Sequence, residues 1–285
     1  MHRWERPQPR ADFAQDSAEA REGYLRDRAK GTISKNKAFE NNAVWSGSWS
    51  RRGQRGVHRL QLTGGLYRIK CGWCEQNVEP RGIDVEHYRP KARVSEWKGN
   101  PDIESKSPPA IVTISNDGYW WLAFQWANLT LACKDCNQTW KRNLFPVRER
   151  HPCVEGVEER EQTLLLDPAS PTFQPSDHFR WALSGGIESI TDEGRATIIT
   201  CGLNREALRE ARLQKTVDIM EAVRAFNNAE RDPIGEYRAL VKLQEFGSAT
   251  EEFTGMARWI ITREIGLSSW EELGDLDLSG GPPTR

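Results

Sequence analysis

Two cysteine pairs and one histidine carry most of the chemistry that the residue types of this chain allow. The stretch IKCGWCEQN (residues 69–77) holds Cys71 and Cys74, and CKDCNQTWK (133–141) holds Cys133 and Cys136. A C-x-x-C spacing alone serves a low-pKa redox dithiol and half of a zinc site equally well. Two such knuckles in one chain are the ordinary way to present four thiolates to a tetrahedral zinc. A redox reading needs two separate dithiols and the βαβ surroundings of a thioredoxin-like site, which the pattern lacks. Cys71, Cys74, Cys133 and Cys136 are therefore expected to hold a structural zinc. The 58 residues between Cys74 and Cys133 far exceed the roughly 15–20 of a simple zinc ribbon, so something is held between the knuckles. That segment includes DVEHYRPKARV (84–94), in which Glu86 adjoins His87 and Arg89, Lys91 and Arg93 follow. Of five histidines only His87 has such company. An imidazole with a pKa of about 6.5 is largely neutral at physiological pH and can take a proton from water, although a lone histidine is more often structural.

The elements that must position these residues are read from pattern. A chain of 285 residues can hold one large domain or two smaller ones and bury a core without disulfides. Six cysteines are too few for a secreted disulfide scaffold, and Cys153 and Cys201 read as plain buried thiols. The sequence has no apolar h-region at its start and no run approaching 18 apolar residues, which gives a soluble protein of a reducing compartment. With 40 Lys and Arg against 41 Asp and Glu, attraction to nucleic acid has to come from local clustering. Residues 51–70 supply it, with Arg51, Arg52 and Arg55 among six cations and no acid. Residues 10–40 read as a helix or two, and 41–56 as a Gly/Ser/Arg loop. Within the organised unit 66–150, residues 97–118 are rich in Pro, Gly, Asn and Ser and read as an inserted loop. GYWWLAFQWANL reads as a short aromatic helix ending near Asn128, its rings serving core packing. LLLDP (164–168) is a strand or loop end, and FRWAL with IESI makes a hairpin around Gly185 and Gly186. The rest is helical, with Asn204 as a cap and Leu213, Val217, Met220 and Val223 as one apolar stripe. The expected class is α+β in three units: 1–65 helical and basic, 66–150 zinc-stapled, and 151–285 mostly helical.

The order of these residues is informative. An acid–His pair, then Asn128, then Asn137 nine residues later, all clamped by two C-x-x-C pairs, resembles the HNH (ββα-metal) nuclease family over residues 71–146. Asn137 stands where many members have His, and Glu86 where Asp is commoner. VEHYRPK, YWWLAFQWANL, CNQTWKRNLFP and LLLDP look like the bacterial HNH proteins that accompany an ABC-type ATPase in Septu and retron anti-phage systems. The resemblance implies a zinc-stapled ββα-metal core with mainly helical extensions. It also implies a cytoplasmic, metal-dependent endonuclease acting on nucleic acid, DNA before RNA. In that scheme His87 activates water, Glu86 and Asn137 hold a catalytic Mg²⁺ or Mn²⁺, and Asn128 bonds the backbone near the base. Lys141, one turn beyond Asn137, would contact phosphate with Arg89 and Lys91, and residues 51–70 would track the strand. The zinc takes no part in cleavage, the inserted loop is a place for gating or partner contact, and the C-terminal helices would dock the ATPase. One geometric demand follows: neighbours in a strand point to opposite faces, so Glu86 and His87 share a site only if the backbone departs from strand geometry. The competing expectation is a non-catalytic zinc-stapled module that binds nucleic acid or protein.

Overall fold

Strand β3 (Ile83–His87) pairs antiparallel with β6 (Leu129–Cys133), in unbroken register from Ile83 opposite Cys133 to His87 opposite Leu129. The computed structural model describes residues 1–9, 11–30, 69–79, 82–149, 153–229 and 232–276. The basic run 51–68 with Arg51, Arg52 and Arg55, and the loop 41–56, lie outside them. Every residue of β6 is buried, because a Leu/Thr/Leu/Ala/Cys run can face apolar neighbours on both sides. Directly after β6 the chain winds into a π-helix, Asp135–Lys141, ended by Arg142 at φ 48°. The earlier knuckle sits on the turn between two-residue strands β1 (Ile69–Lys70) and β2 (Asn77–Val78).

The insertion between β3 and β6 is more ordered than its composition suggests. β4 (Val94–Trp97) and β5 (Ile111–Ser115) form an antiparallel hairpin where a loop over 97–118 was expected. The Pro- and Ser-rich residues make only its turn, and the β-branched run IVTIS supplies the returning strand. The aromatic segment also departs from a single helix. It forms two 3₁₀ turns, Trp120–Leu122 and Trp126–Asn128, separated by Gln125 in extended geometry. Tyr119 and Trp121 belong to one hydrophobic cluster and Ala123 and Phe124 to another, and one helix face cannot serve both. The expectation that these rings are core holds.

Helix α1 (Phe13–Ala29) packs Phe13 edge-on against Trp126 at 4.9 Å and stacks Tyr24 on Trp120 at 5.5 Å. The residues ahead of it tie the unit together. Arg6 donates to the Leu129 carbonyl at 3.1 Å, and the Trp126 indole donates to the Pro7 carbonyl at 2.7 Å. Strands β7 (Phe179–Trp181) and β8 (Ile187–Ser189) form the expected hairpin. Gly185 lies there at φ 81°, where a Cβ would fall 2.1 Å from the Arg209 carbonyl oxygen. Among the described residues five helices follow: α2 (Asp192–Cys201), α3 (Glu206–Asn227), α4 (Pro233–Phe246), α5 (Thr254–Ile265) and α6 (Glu271–Asp275). No helix among the described residues is long and apolar enough to cross a membrane.

Two expectations about α3 are corrected. Asn204 does not cap it. Its side chain bonds both backbone groups of Ile187, fastening the hairpin to the helix start. The apolar stripe is rotated as well: Leu213 and Val217 are 44% and 46% exposed, while Leu208, Arg212, Thr216 and Ile219 face inward with Val223. Arg212 turns in because its guanidinium reaches the Leu203 carbonyl at 2.6 Å. Packing supplies no boundary at residue 150. One cluster runs from Trp73 and Phe145 through Leu165 and Phe179 to Ile261 and Leu273, so the zinc-knuckle unit and the C-terminal helices share a core.

Candidate active site and metal centre

The four cysteines converge. Cys71, Cys74, Cys133 and Cys136 are buried, and their sulfurs all lie within 4.8 Å of one another. The Cys74–Cys133 sulfur separation is 3.8 Å, the edge of a tetrahedron whose metal–sulfur bonds are about 2.3 Å. β6 delivers Cys133 and the π-helix delivers Cys136, whose N–H points at the Cys133 sulfur at 3.4 Å. The opposite knuckle docks on β6 through the Gly72 N–H and the Leu131 carbonyl at 2.8 Å, an approach where a Cβ would already crowd that oxygen at 3.1 Å. This donor set fits structural zinc. Four thiolates around Zn²⁺ leave two negative charges, and two buried arginines from the C-terminal region stand beside them. Arg205 reaches the Cys136 sulfur at 3.5 Å. Burial alone would lower its pKa, but the Cys136 and Cys74 sulfurs raise it. Arg212 lies about two turns further along α3, held down at about 10 by burial, with the Cys74 charge opposing.

Trp73, fully buried inside the first knuckle, stacks on Tyr88 at 6.4 Å. Tyr88 follows His87, so the staple is packed directly against the end of β3. There the imidazole is buried, with Nε2 at 2.9 Å from the Ala123 carbonyl and Nδ1 at 3.2 Å from the Lys91 ammonium. A carbonyl only accepts, so Nε2 carries the proton and Nδ1 keeps its lone pair. Burial, then the Lys91 charge, push this histidine well below its ordinary pKa, against the Ala123 bond, and Lys141 lowers it further. It is neutral at physiological pH. Asn128 fixes the turn that follows: its Oδ1 accepts from the Arg89 N–H at 2.8 Å, and its Nδ2 donates to the Arg89 and Leu122 carbonyls, each at 3.1 Å. The aromatic segment thus offers the carbonyls of Ala123 and Leu122 as fixed acceptors for His87 and Asn128.

The pleat sends Glu86 and His87 to opposite sides of β3, since the strand stays regular through His87. The departure that a shared site demands does not occur, and two lysines join the pair instead. Lys141, fully buried, donates to the Glu86 carboxylate and to the His87 carbonyl at 2.9 Å. Lys91 touches the imidazole while burial lowers its own pKa and Glu86 raises it. Asn137 meets a residue that the sequence reading passed over: its Nδ2 donates to Asp84 at 3.0 Å, and Gln138 donates to the same oxygen at 2.8 Å. Asp84 and Glu86 share a strand face by their i, i+2 spacing, and the π-helix lies over it, with Asn137 on the first and Lys141 on the second. The alternation in DVEH was the available signal.

The chain is a distant homologue of Septu protein PtuB. It is 31% identical to that protein of Bacillus mycoides (strain KBAB4) over 159 residues, which cover 54% of this chain and 49% of PtuB. The chain therefore spans about half the length of this curated relative. No family model matches the chain, and no solved structure matches it.

The cations expected on phosphate have mixed placements. Arg89 is ion-paired with the buried Glu161, which also accepts from the Tyr119 hydroxyl at 2.8 and 2.7 Å, and its guanidinium lies over the rings of Tyr119 and Phe145. Arg89 and Lys141 are thus committed to internal carboxylates, and of the three only Lys91 has its ammonium on the imidazole. Glu161 was unmarked in sequence, one acid among the many of 155–162. His178 bonds the Thr191 hydroxyl at 2.8 Å at the start of α2.

Proposed function

We propose that this chain is a metal-dependent HNH endonuclease of the ββα-metal type. It would hydrolyse phosphodiester bonds of nucleic acid, DNA first, as the cutting component of a bacterial anti-phage system with an ATPase partner docked on its C-terminal helices. The observation that carries the reading is the His87 imidazole: neutral, its tautomer set by Ala123, its Nδ1 lone pair at the end of a strand whose partner leads into a helix, all beside a buried tetracysteine corner. Distant homology to a Septu protein supports the setting.

Because Glu86 and His87 leave β3 on opposite faces, the reading requires the end of that strand to depart from strand geometry when metal and substrate bind. Nδ1 of His87 takes a proton from water as the water attacks phosphorus, and burial favours this by keeping the imidazole uncharged beforehand. Lys91 has to leave Nδ1 for water to reach it, and its ammonium then stands ready for a non-bridging phosphate oxygen. Asn128 holds the backbone after His87 so that the ring keeps its direction. Lys141 positions Glu86. Glu86 and Asn137, together with Asp84, offer oxygen donors of the type a hard divalent ion takes, the Asn137 side-chain carbonyl staying available while its amide donates to Asp84. When bound, Mg²⁺ or Mn²⁺ would stabilise charge on the departing 3′ oxygen.

The test is plasmid nicking with Mg²⁺ or Mn²⁺. The wild type should cut, and His87→Ala should lose at least a hundredfold while keeping its zinc. No cutting by a zinc-loaded wild type, alone or with its ATPase, leaves the non-catalytic binding module. The full internal pairing of Lys141 with Glu86 favours that second reading.

A further inference from the structure

A cavity of about 810 Å³ opens between α5, the β7–β8 hairpin and the segment leading into α6, away from every residue named above as catalytic or zinc-ligating. Its walls have an unusual composition for a chain of nearly balanced charge. Four arginines line it (Arg3, Arg180, Arg258 and Arg263) against a single carboxylate, Glu271. Between them stand Trp181, Trp259 and Trp270. Trp181 and Trp259 lie with ring centroids 6.0 Å apart, and Arg263 and Arg258 cover faces of Trp259 and Trp270 at 5.2 and 5.0 Å. Arg258 is half-buried and spends only Nε, on the Gly247 carbonyl at 2.8 Å; its Nη atoms have no hydrogen-bond partner among the described residues. Burial lowers its pKa, and Glu271 and then Glu75 raise it. A second cavity of about 430 Å³ shares His2, Arg3 and Arg258 with the first and reaches the first knuckle at Cys71 and Gly72, with Lys70, Glu5 and Glu75 also on its wall.

We infer that this cavity binds a nucleotide, its base against the tryptophans and its phosphates on Arg258 and Arg263. Aromatic faces interleaved with guanidinium groups are the combination that holds a base and its phosphate together. Arg3, Arg180 and Arg263 already meet Glu5, the Ser176 carbonyl and Glu264, but an apolar ligand would leave the Arg258 Nη atoms unpaired, and a bare anion would leave the tryptophans unused. The volume suits one nucleotide. The nucleotide is either free or part of a single strand running on into the second cavity. The inference does not depend on whether His87 cuts anything.

Calorimetric titration of the zinc-loaded full chain with ATP, with an eight-residue oligodeoxyadenylate and with tripolyphosphate tests it, without added divalent ions. Binding of ATP identifies a free nucleotide as the ligand, and binding of the oligonucleotide alone identifies a strand. In either case Arg258→Gln and Trp259→Leu should each weaken binding at least tenfold. Arg263→Gln, whose side chain is 66% exposed and safe for folding, should weaken it severalfold, while Arg148→Gln outside the cavity changes nothing. Failure of both base-containing probes to bind at millimolar concentration overturns the inference. So does tripolyphosphate binding as tightly as they do, or affinity that Arg258→Gln and Arg263→Gln leave unchanged.

Discussion

The tetracysteine corner and the His87 cluster are neighbours joined through the Trp73–Tyr88 stack, yet they handle buried charge in opposite ways. At the corner the anions are fixed: four sulfurs converge within 4.8 Å, and the compensating arginines come from distant sequence and approach from behind. At His87 the anions are few and the compensating groups are lysines, single ammonium charges on flexible stems, one of them resting on the lone pair that a general base needs. Arginine holds a fork geometry, whereas lysine can swing away. The corner is built to stay as it is. The cluster is held together by contacts that can be exchanged for water, phosphate or metal.

Breaking the corner should give the largest effect. Structural zinc contributes about 10–16 kcal/mol in small zinc modules, comparable with the roughly 5–15 kcal/mol of a whole domain. Cys133→Ser is expected to reduce bound zinc from one per chain toward none and to abolish the cooperative thermal transition, read by elemental analysis and circular dichroism. A variant that loses the metal yet melts like the wild type removes the staple from this account.

At the cluster the expected loss is smaller and of a different kind. Glu86→Gln leaves the buried Lys141 ammonium with neutral carbonyl acceptors and no counter-charge, and breaking such a pair costs about 3–5 kcal/mol. Adding Lys141→Met, which removes the orphaned charge, should recover most of that in denaturant melts. If the double variant is no better than the single one, Lys141 escapes to solvent and the cluster is looser than described.

A third comparison addresses the arginines. Arg205→Gln removes a charged donor from the Cys136 sulfur, and hydrogen bonds to charged groups contribute roughly 1.5–3 kcal/mol. Zinc should pass to a competing chelator about ten- to a hundredfold more readily, with Arg205→Lys in between. Unchanged zinc retention would mean that the thiolate charge is compensated elsewhere.

What could be read beforehand follows the same division. Local spacing announces the corner, because two C-x-x-C pairs are the ordinary way to supply four thiolates to one metal, and the structure adds only the distances. The β7–β8 hairpin was legible for a like reason, since Gly185 occupies a turn position that no side chain could enter. The cluster was legible in membership but not in pairing. Attention to the adjacent Glu86–His87 dipeptide hid Asp84, although the strand's period of two places Asp84 beside Glu86 and under Asn137. Glu161 was out of reach because its partner Arg89 lies 72 residues away, and the inward turn of Arg212 because it depends on where the loop before α3 places the Leu203 carbonyl.

The smallest effect on stability, and the sharpest on function, is expected where that misreading occurred. Because Arg212 and Thr216 turn inward, Leu213 and Val217 stand out on α3, one turn apart, away from both charged sites. Replacing both with Ser should change stability by no more than roughly 0.5 kcal/mol, as surface substitutions do. If the proposed ATPase partner docks on the C-terminal helices, the same change should lower its co-purification with the tagged chain. Truncation near residue 165 cannot make this test, since the shared core would be cut through Leu165 and Phe179. A double variant that folds, keeps its zinc and still retains the ATPase moves the docking face elsewhere, with the exposed Val112 and Ile114 of the β4–β5 arm next to be changed.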